Sequence, residues 1–472
     1  MQMFLGGQWV LRREQIEVTN PFDGSVIDTV PRGGAADAEA AVAGAVEGAR
    51  QMRALPAHRR SEILRRAAEL MAARLESLAE TISREEGKIL AEARLEASRA
   101  QLTIAISAEE AGRLAGEVLP LDAAPGGEGR LGFTLRVPCG VVVAITPFNF
   151  PLNLVCHKVG PALAAGNAVV IKPASDTPLS ALKLVEILLE AGVPPLAVSC
   201  VTGPGALLGE ALAGDHRVRK ISFTGSRDVG DQICRTAGLK RVTMELGSNS
   251  PLIVMPDADL EKVVAATVAT GYANAGQTCI STQRVIALAD IYDEYLTQLV
   301  PQVESLTTGN PLEESTRVGP MIRETDAIRV GEWIDEAVGG GARLLTGGRR
   351  QAALFEPAVV ADVDPRMRIS CDELFGPAVA VTRAGDLDEA IRLANDTRYG
   401  LSAAIFTEKL DTALRFAREV DSGNLHINWG PQWRADFMPY GGLKESGLGK
   451  EGPRYAIEEM TELKTVVIHG LS

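Results

Sequence analysis

The sequence lacks an excess of positive charge. Its 472 residues carry 48 Lys and Arg against 61 Asp and Glu, a formal net charge of −13, which argues against a nucleic-acid partner because phosphates would be repelled. It also lacks any uninterrupted apolar run approaching the ~20 residues of a membrane span. The opening stretch is broken by Gly6, Gly7 and Gln8, so it does not read as a secretory core. A cytoplasmic protein with no membrane partner is the expectation. No two of the six cysteines (139, 156, 200, 234, 279 and 371) form a C-x-x-C pair, and the five histidines are scattered without ligand spacing. That pattern excludes a disulfide scaffold and a zinc centre, and no metal is expected. There is no internal repeat and no low-complexity segment.

What is present is length, and alternation. A chain of 472 residues is too long for one simple core, so two or three domains are expected. Residues 35–117 are rich in Ala, Glu, Arg and Leu. After Pro56, apolar residues from Ile63 to Ile82 recur at helical spacing, which predicts two or three amphipathic helices covering a sheet. Residues 118–138 are Gly- and Pro-punctuated, an extended excursion or hairpin. Apolar, β-rich runs at 140–145, 168–172, 196–201, 219–223 and 241–246 then alternate with helix-length segments, the mark of a parallel, doubly wound α/β sheet. A second α/β series follows, with strands at 251–255, 284–288, 357–363, 375–383, 401–406 and 424–428, and helices beginning near Asp259 and Asp386. The β-like tail 463–469 has no obvious local partner.

Several motifs sit at strand ends, where open α/β sheets bind ligands. TPFNFP (146–151) follows the first strand of the doubly wound series, and the Asn149 amide has the donor chemistry for an oxyanion, although taken alone the motif favours an Asn that merely organises the turn between two prolines. MELGSNSP (244–251) places Glu245 near a strand end, where a carboxylate is paired, exposed or poised as a base. GQTC (276–279) presents Cys279 without a cysteine to bridge, and ELFGP (373–377) opens another strand. Gly203-Pro204-Gly205 with Gly209 imitates a dinucleotide fingerprint, but the third glycine is one residue late and no acidic residue ends the next strand.

Together with IKPAS (171–175), FTGS (223–226) and PYGGLKESG (439–447), these motifs resemble the aldehyde dehydrogenase superfamily in order and spacing, from about Asn20 to Val467. The resemblance implies an aldehyde dehydrogenase fold with three parts. A Rossmann-like nucleotide-binding domain would take 1–117 and 137–247, a catalytic domain 248–458, and a small β oligomerisation domain 118–136 with 459–472. The tail would then extend a neighbouring subunit's sheet, in a homodimer or homotetramer. The resemblance further implies Cys279 as the nucleophile, an oxyanion held by Asn149 and the Cys279 N–H, and Glu245 as the base that activates water on the thioester. Relatives that release a coenzyme A thioester typically lack this glutamate, so a free acid is expected. Lys158 and Glu451 match a proton relay.

For NAD or NADP, the resemblance points to Thr146, Pro147, Lys172, Ser175, Gly225, Ser226, Gly247, Glu373 and Phe375. Ser175 stands where strongly NAD-preferring relatives often carry a glutamate that would repel a 2′-phosphate, so NADP is expected to be tolerated. The sequence looks closest to the lactaldehyde and phosphonoaldehyde branch. His157, Gln283, Arg284, Arg434 and Arg454 are the candidates to face a small polar or anionic aldehyde such as lactaldehyde, glycolaldehyde or succinate semialdehyde. Thr278 stands where phosphonate-using members can carry arginine, which counts against a phosphonate. The rival readings are an acylating dehydrogenase, a thioesterase-like hydrolase, and a non-catalytic protein that keeps the fold. Intact Cys279, Glu245 and Asn149 argue against the last.

Overall fold

The computed structural model describes residues 1–470, and the final two residues of the expected oligomerisation segment lie outside them. Two sheets organise the molecule. In the first, Val141–Ile145 is central, flanked by Ala168–Lys172 and Val198–Cys200 on one side and Val218–Thr224 and Arg241–Glu245 on the other. These five strands are parallel and almost wholly buried, as their continuous β-branched runs require. The order reverses between Val141–Ile145 and Val218–Thr224, creating the switch point at which ligands enter such sheets. An N-terminal hairpin, Met3–Leu5 with Gln8–Val10, adds to one edge.

Four helices rather than two or three precede the sheet: Ala35–Ala54, Ala57–Ala73, Leu75–Glu86 and Leu90–Glu110. Pro56 caps the second of them, since a residue without an N–H costs nothing at a helix start.

The second sheet contains six parallel strands in the order Ala358–Ala361, Ala378–Ala384, Arg284–Leu288, Pro251–Val254, Ser402–Phe406 and Asn424–Ile427. Asp259 and Asp386 cap the helices Leu260–Gly271 and Leu387–Asn395 with their carboxylates, satisfying N–H groups that a helix start leaves open. Arg343–Thr346 closes one edge of this sheet.

The domain boundary drawn at 458 needs correction. Gly447–Leu448 pairs with Met244 and Glu245 in the first sheet, and Ile457 and Met460 belong to the first sheet's core. Residues 447–459 therefore return to the first sheet and bring Glu451 with them. The tail, Thr461–His469, does have a partner within the chain: it runs antiparallel to Arg130–Pro138, which also pairs with Val118–Leu119. Among the described residues no helix is long and apolar enough to cross a membrane.

Candidate active site

The carboxyl ends of the first sheet face the second sheet across a cavity of about 770 Å³, which reaches Asn149, Gly225, Glu245, Cys279, Glu373, Arg434 and Tyr440. The turn after Val141–Ile145 is fixed from behind. Lys88, buried against Glu96 at 2.5 Å, donates to the Asn149 carbonyl at 2.7 Å. Glu96 accepts from the N–H groups of Leu152 and Asn153 at the start of the helix Asn153–Ala164, where a carboxylate is favoured. The Asn149 side-chain amide donates to the Gln277 carbonyl at 2.8 Å, which ties the two halves of the site together.

Cys279 ends a forced turn. Asn274 and Ala275 adopt φ of 52° and Gly276 a φ of 71°. A side chain at Gly276 would lie 2.0 Å from the Gly376 carbonyl, so the position admits glycine alone. Strain of this kind persists where surrounding contacts impose it; here Gln277 accepts from Ile322 N–H and donates to the Asn274 carbonyl. Among the described residues the Cys279 N–H has no acceptor, which leaves it available beside the Asn149 amide. Burial pushes the Cys279 thiol up to about 12; a hydrogen bond from Tyr440 and the charge of Arg434 oppose this, while Glu373 and Glu245 add to it.

Glu245 ends the strand Arg241–Glu245, and neither of its carboxylate oxygens has a partner among the described residues. Burial, then the neighbouring Glu451, holds its carboxyl well above the usual range, against Arg434, Lys158 and Lys450. Gly441 leaves it room, since a side chain there would come within 2.8 Å of the Glu245 carboxylate. Behind it, fully buried Lys158 donates to Glu451 at 2.6 Å and Thr224 at 2.7 Å. Burial alone would raise the Glu451 carboxyl, but Lys158 and Arg434 bring it down to about 2.

The five substrate candidates separate. Arg434 alone of them reaches the cavity wall. It donates to Glu451 at 3.1 Å and to His157 Nδ1 at 3.0 Å, and among the described residues its Nε has no partner. His157 lies behind it. Burial, with Arg434 beside it, lowers the imidazole to about 4, so the neutral ring donates from Nε2 to Asp436 at 3.0 Å. Asp436 also takes a two-pronged contact from Arg99.

Gln283, Arg284 and Arg454 do not face the cavity. Gln283 braces the Asp372–Leu374 turn through the Asp372 carbonyl and the Leu374 N–H. Arg284 spends its guanidinium on the carbonyls of Asn249, Leu393 and Ala394, because buried carbonyls need donors. Arg454 is exposed, 3.8 Å from Glu458. Sequence reasoning passed over Tyr440 and Asp436, although both lie beside or within PYGGLKESG. It also passed over Lys88, Glu96, Arg99 and Gln432, which no local pattern marks.

The sequence-assigned cofactor residues line one cleft edge and its approaches. The Lys172 ammonium has no hydrogen-bond partner among the described residues, and burial lowers it to about 8. Ser175 donates to the Gly203 carbonyl at 3.0 Å. The buried Thr146 hydroxyl is unpartnered among the described residues, and Pro147 lines the cavity. Ser226 precedes the helix Arg227–Ala237, an anion-favouring terminus. A side chain at Gly225 would strike Phe223, and one at Gly247 would strike Glu373. Glu373 accepts from Ser248 N–H at 2.9 Å and is raised to about 7 by burial. Phe375, at φ 51°, packs edge-on to Phe148. Free cation, glycine-walled cleft and helix terminus together fit a dinucleotide.

Comparison with known proteins settles the family. The aldehyde dehydrogenase family model matches residues 9–466. The chain belongs to the aldehyde dehydrogenase family. It is 45% identical over 467 residues to a 3-sulfolactaldehyde dehydrogenase of Priestia aryabhattai, covering 99% of this chain and 98% of that one. It is 38% identical over 477 residues to a lactaldehyde dehydrogenase of Methanococcus vannielii, covering 99% and 100%. The crystal structure of an NADP-dependent glyceraldehyde-3-phosphate dehydrogenase from Bacillus halodurans, complexed with NADP, superposes with a TM-score of 0.97 at 36% identity, covering 99% of each chain. The chain is thus an oxidoreductase of the aldehyde dehydrogenase fold, and a nicotinamide cofactor is its redox partner. Among the described residues no cluster of His, Cys, Asp and Glu is arranged to hold a metal ion.

Proposed function

We propose that this aldehyde dehydrogenase oxidises a small anionic aldehyde, of the sulfolactaldehyde or succinate semialdehyde kind, to its free acid. Arg434 carries the reading. A buried guanidinium with an unpartnered Nε at the cavity wall is costly unless a ligand completes its contacts. Arg99 pairs with Asp436, while Lys158 and Arg434 both pair with the single carboxylate of Glu451. Arg434 thus shares its carboxylate with Lys158 and keeps charge and an Nε donor for an anionic substrate. The sulfonate of the Priestia relative's substrate is of this class.

In this reading Cys279 attacks the aldehyde carbon. Asn149 and the Cys279 N–H hold the oxygen as it gains charge. A bound nicotinamide would supply the hydride acceptor, and Cys279 keeps the acyl group as a thioester once the hydride has left its carbon. Glu245 then takes a proton from the water that attacks the thioester, releasing acid and thiolate. Lys158 and Glu451 pass the Glu245 proton onward. Lys172 and Glu373 would hold the two riboses and Gly225–Ser226 the pyrophosphate.

The test is a panel of aldehydes with Arg434→Met. Losing one charge-assisted contact of about 1.5–3 kcal/mol is roughly a 10- to 150-fold change. The kcat/KM for 3-sulfolactaldehyde or succinate semialdehyde should fall by that much, and that for neutral lactaldehyde by far less. Since the variant also frees Glu451, the ratio between substrates is decisive. Equal losses for anionic and neutral aldehydes would contradict the assignment.

We further propose that NADP serves alongside NAD, because position 175 carries a serine and the carboxylate next to it, Asp176, is paired with Arg323. Ser175→Glu should lower kcat/KM for NADP by about tenfold or more, by repulsion of the 2′-phosphate, and spare NAD. Thousandfold exclusion of NADP by the unaltered enzyme would refute this. The free edges of Thr461–His469 and Asn424–Ile427 suit addition of a second copy; a single-chain mass by light scattering would exclude a dimer or tetramer.

A further inference from the structure

Of the thiols in this chain, Cys139 and Cys371 donate to oxygens that only accept, Asn167 Oδ1 at 3.4 Å and the Arg366 carbonyl at 3.6 Å. Such contacts favour the protonated sulfur. Cys279 differs: its sulfur lies 3.6 Å from the Tyr440 hydroxyl, a group that can donate as well as accept. Among the described residues the phenol has no other partner. The ring is rigidly placed. It is 4% exposed, its backbone exchanges two hydrogen bonds with Glu451, and the Arg434 guanidinium sits 4.1 Å from its centroid.

We propose that Tyr440 is a catalytic residue, a phenol that donates a hydrogen bond to the Cys279 thiolate and sets its reactivity. The proposal rests on Cys279 being the nucleophile. The direction of donation follows from the surroundings. Burial, together with the nearby Cys279 sulfur and Glu245, holds the phenol well above its usual range, so its proton stays on oxygen and the sulfur is the acceptor. A cation over the ring face draws electron density from the phenol and strengthens it as a donor. The thiol proton leaves for solvent, and the Tyr440 proton does not transfer. When the sulfur pair forms the C–S bond, the carbonyl π pair moves to oxygen. Sulfur then loses its charge and the hydrogen bond weakens. Tyr440 therefore raises the amount of thiolate while making each thiolate somewhat less nucleophilic. Tenfold more thiolate, offset by a Brønsted coefficient of about 0.4–0.5, leaves a net gain of about threefold below the thiol pKa.

The experiment is alkylation of Cys279 by iodoacetamide across pH 6–10 in the full-length enzyme and in Tyr440→Phe, with the Cys279 peptide followed by mass spectrometry. Cys279 faces Tyr440, Glu245, Glu373 and Arg434, with Lys158, Lys450 and Glu451 acting through Glu245. All but Tyr440 are common to both proteins, so the difference between profiles isolates the phenol. Tyr440→Phe should alkylate about threefold more slowly at pH 7 and throughout this range, which lies below the thiol pKa. The missing hydroxyl leaves more room at sulfur, so a purely steric role would speed the reaction. An unmoved profile, or faster alkylation at pH 7, overturns the proposal. Cys279→Ser separates the two readings: retained turnover there removes the nucleophile assignment itself, whereas lost turnover with an unmoved Tyr440→Phe profile removes only the role of Tyr440.

Discussion

Cys279→Ser should lower aldehyde oxidation by at least about 10⁴-fold, the scale on which covalent catalysis fails when its nucleophile is lost. A serine hydroxyl is far harder to deprotonate than a thiol, and no imidazole stands ready to help it. Among the described residues no histidine lines the cavity, and His157, behind Arg434, spends both ring nitrogens on Arg434 and Asp436. Cofactor binding should survive, because Lys172, Ser226 and Glu373 belong to other elements. The check is steady-state turnover beside a fluorescence titration with NADPH. Loss of rate with retained binding is the expected pair, and substantial residual turnover would remove the covalent route.

Glu245→Gln should separate the two halves of the reaction. Steady-state turnover falls by about 10²- to 10⁴-fold, the usual weight of a positioned base, while a burst of about one reduced cofactor per site remains. The amide cannot take a proton from water. It also removes a carboxylate that raises the Cys279 thiol, so acylation itself is not slowed by charge. The wild-type pH profile carries the same information. The Glu245 carboxyl is held well above its ordinary value, so it is protonated and idle at low pH and becomes competent as pH rises. The acid limb of turnover should lie higher than for an exposed carboxylate and be altered in Glu245→Gln. Stopped-flow absorbance of the reduced cofactor measures both, and loss of burst together with turnover would count against a role confined to hydrolysis.

Strands buried on both faces were legible because their β-branched runs have no polar alternation to obscure them, and the helix starts at Asp259 and Asp386 announced themselves through capping chemistry. The motif residues were legible for a related reason: Asn149, Gly225 and Glu245 all leave carboxyl ends of strands flanking one switch point. Gln283 and Arg284 misled because sequence does not reveal which buried carbonyls lack donors, and both side chains answer that local need. Arg454 misled by proximity to Glu451 along the chain, three residues that turn from the buried relay to the surface. Gly447–Leu448 was missed as a strand because two residues carry no periodicity; its pairing with the Glu245 strand is set by tertiary contact alone. Tyr440 stood within a quoted motif, yet its partner is Cys279, 161 residues earlier, and only the fold brings phenol to sulfur.

The central claim is that the acyl group rests on Cys279 and leaves by hydrolysis through Glu245. Its most direct test is the intact mass of Glu245→Gln, quenched within the burst after mixing with 3-sulfolactaldehyde and NADP, followed by peptide mapping. The account predicts one acyl adduct per chain, on Cys279 and absent from Cys279→Ser. Reduced cofactor formed in the burst without any adduct on Cys279 would contradict it.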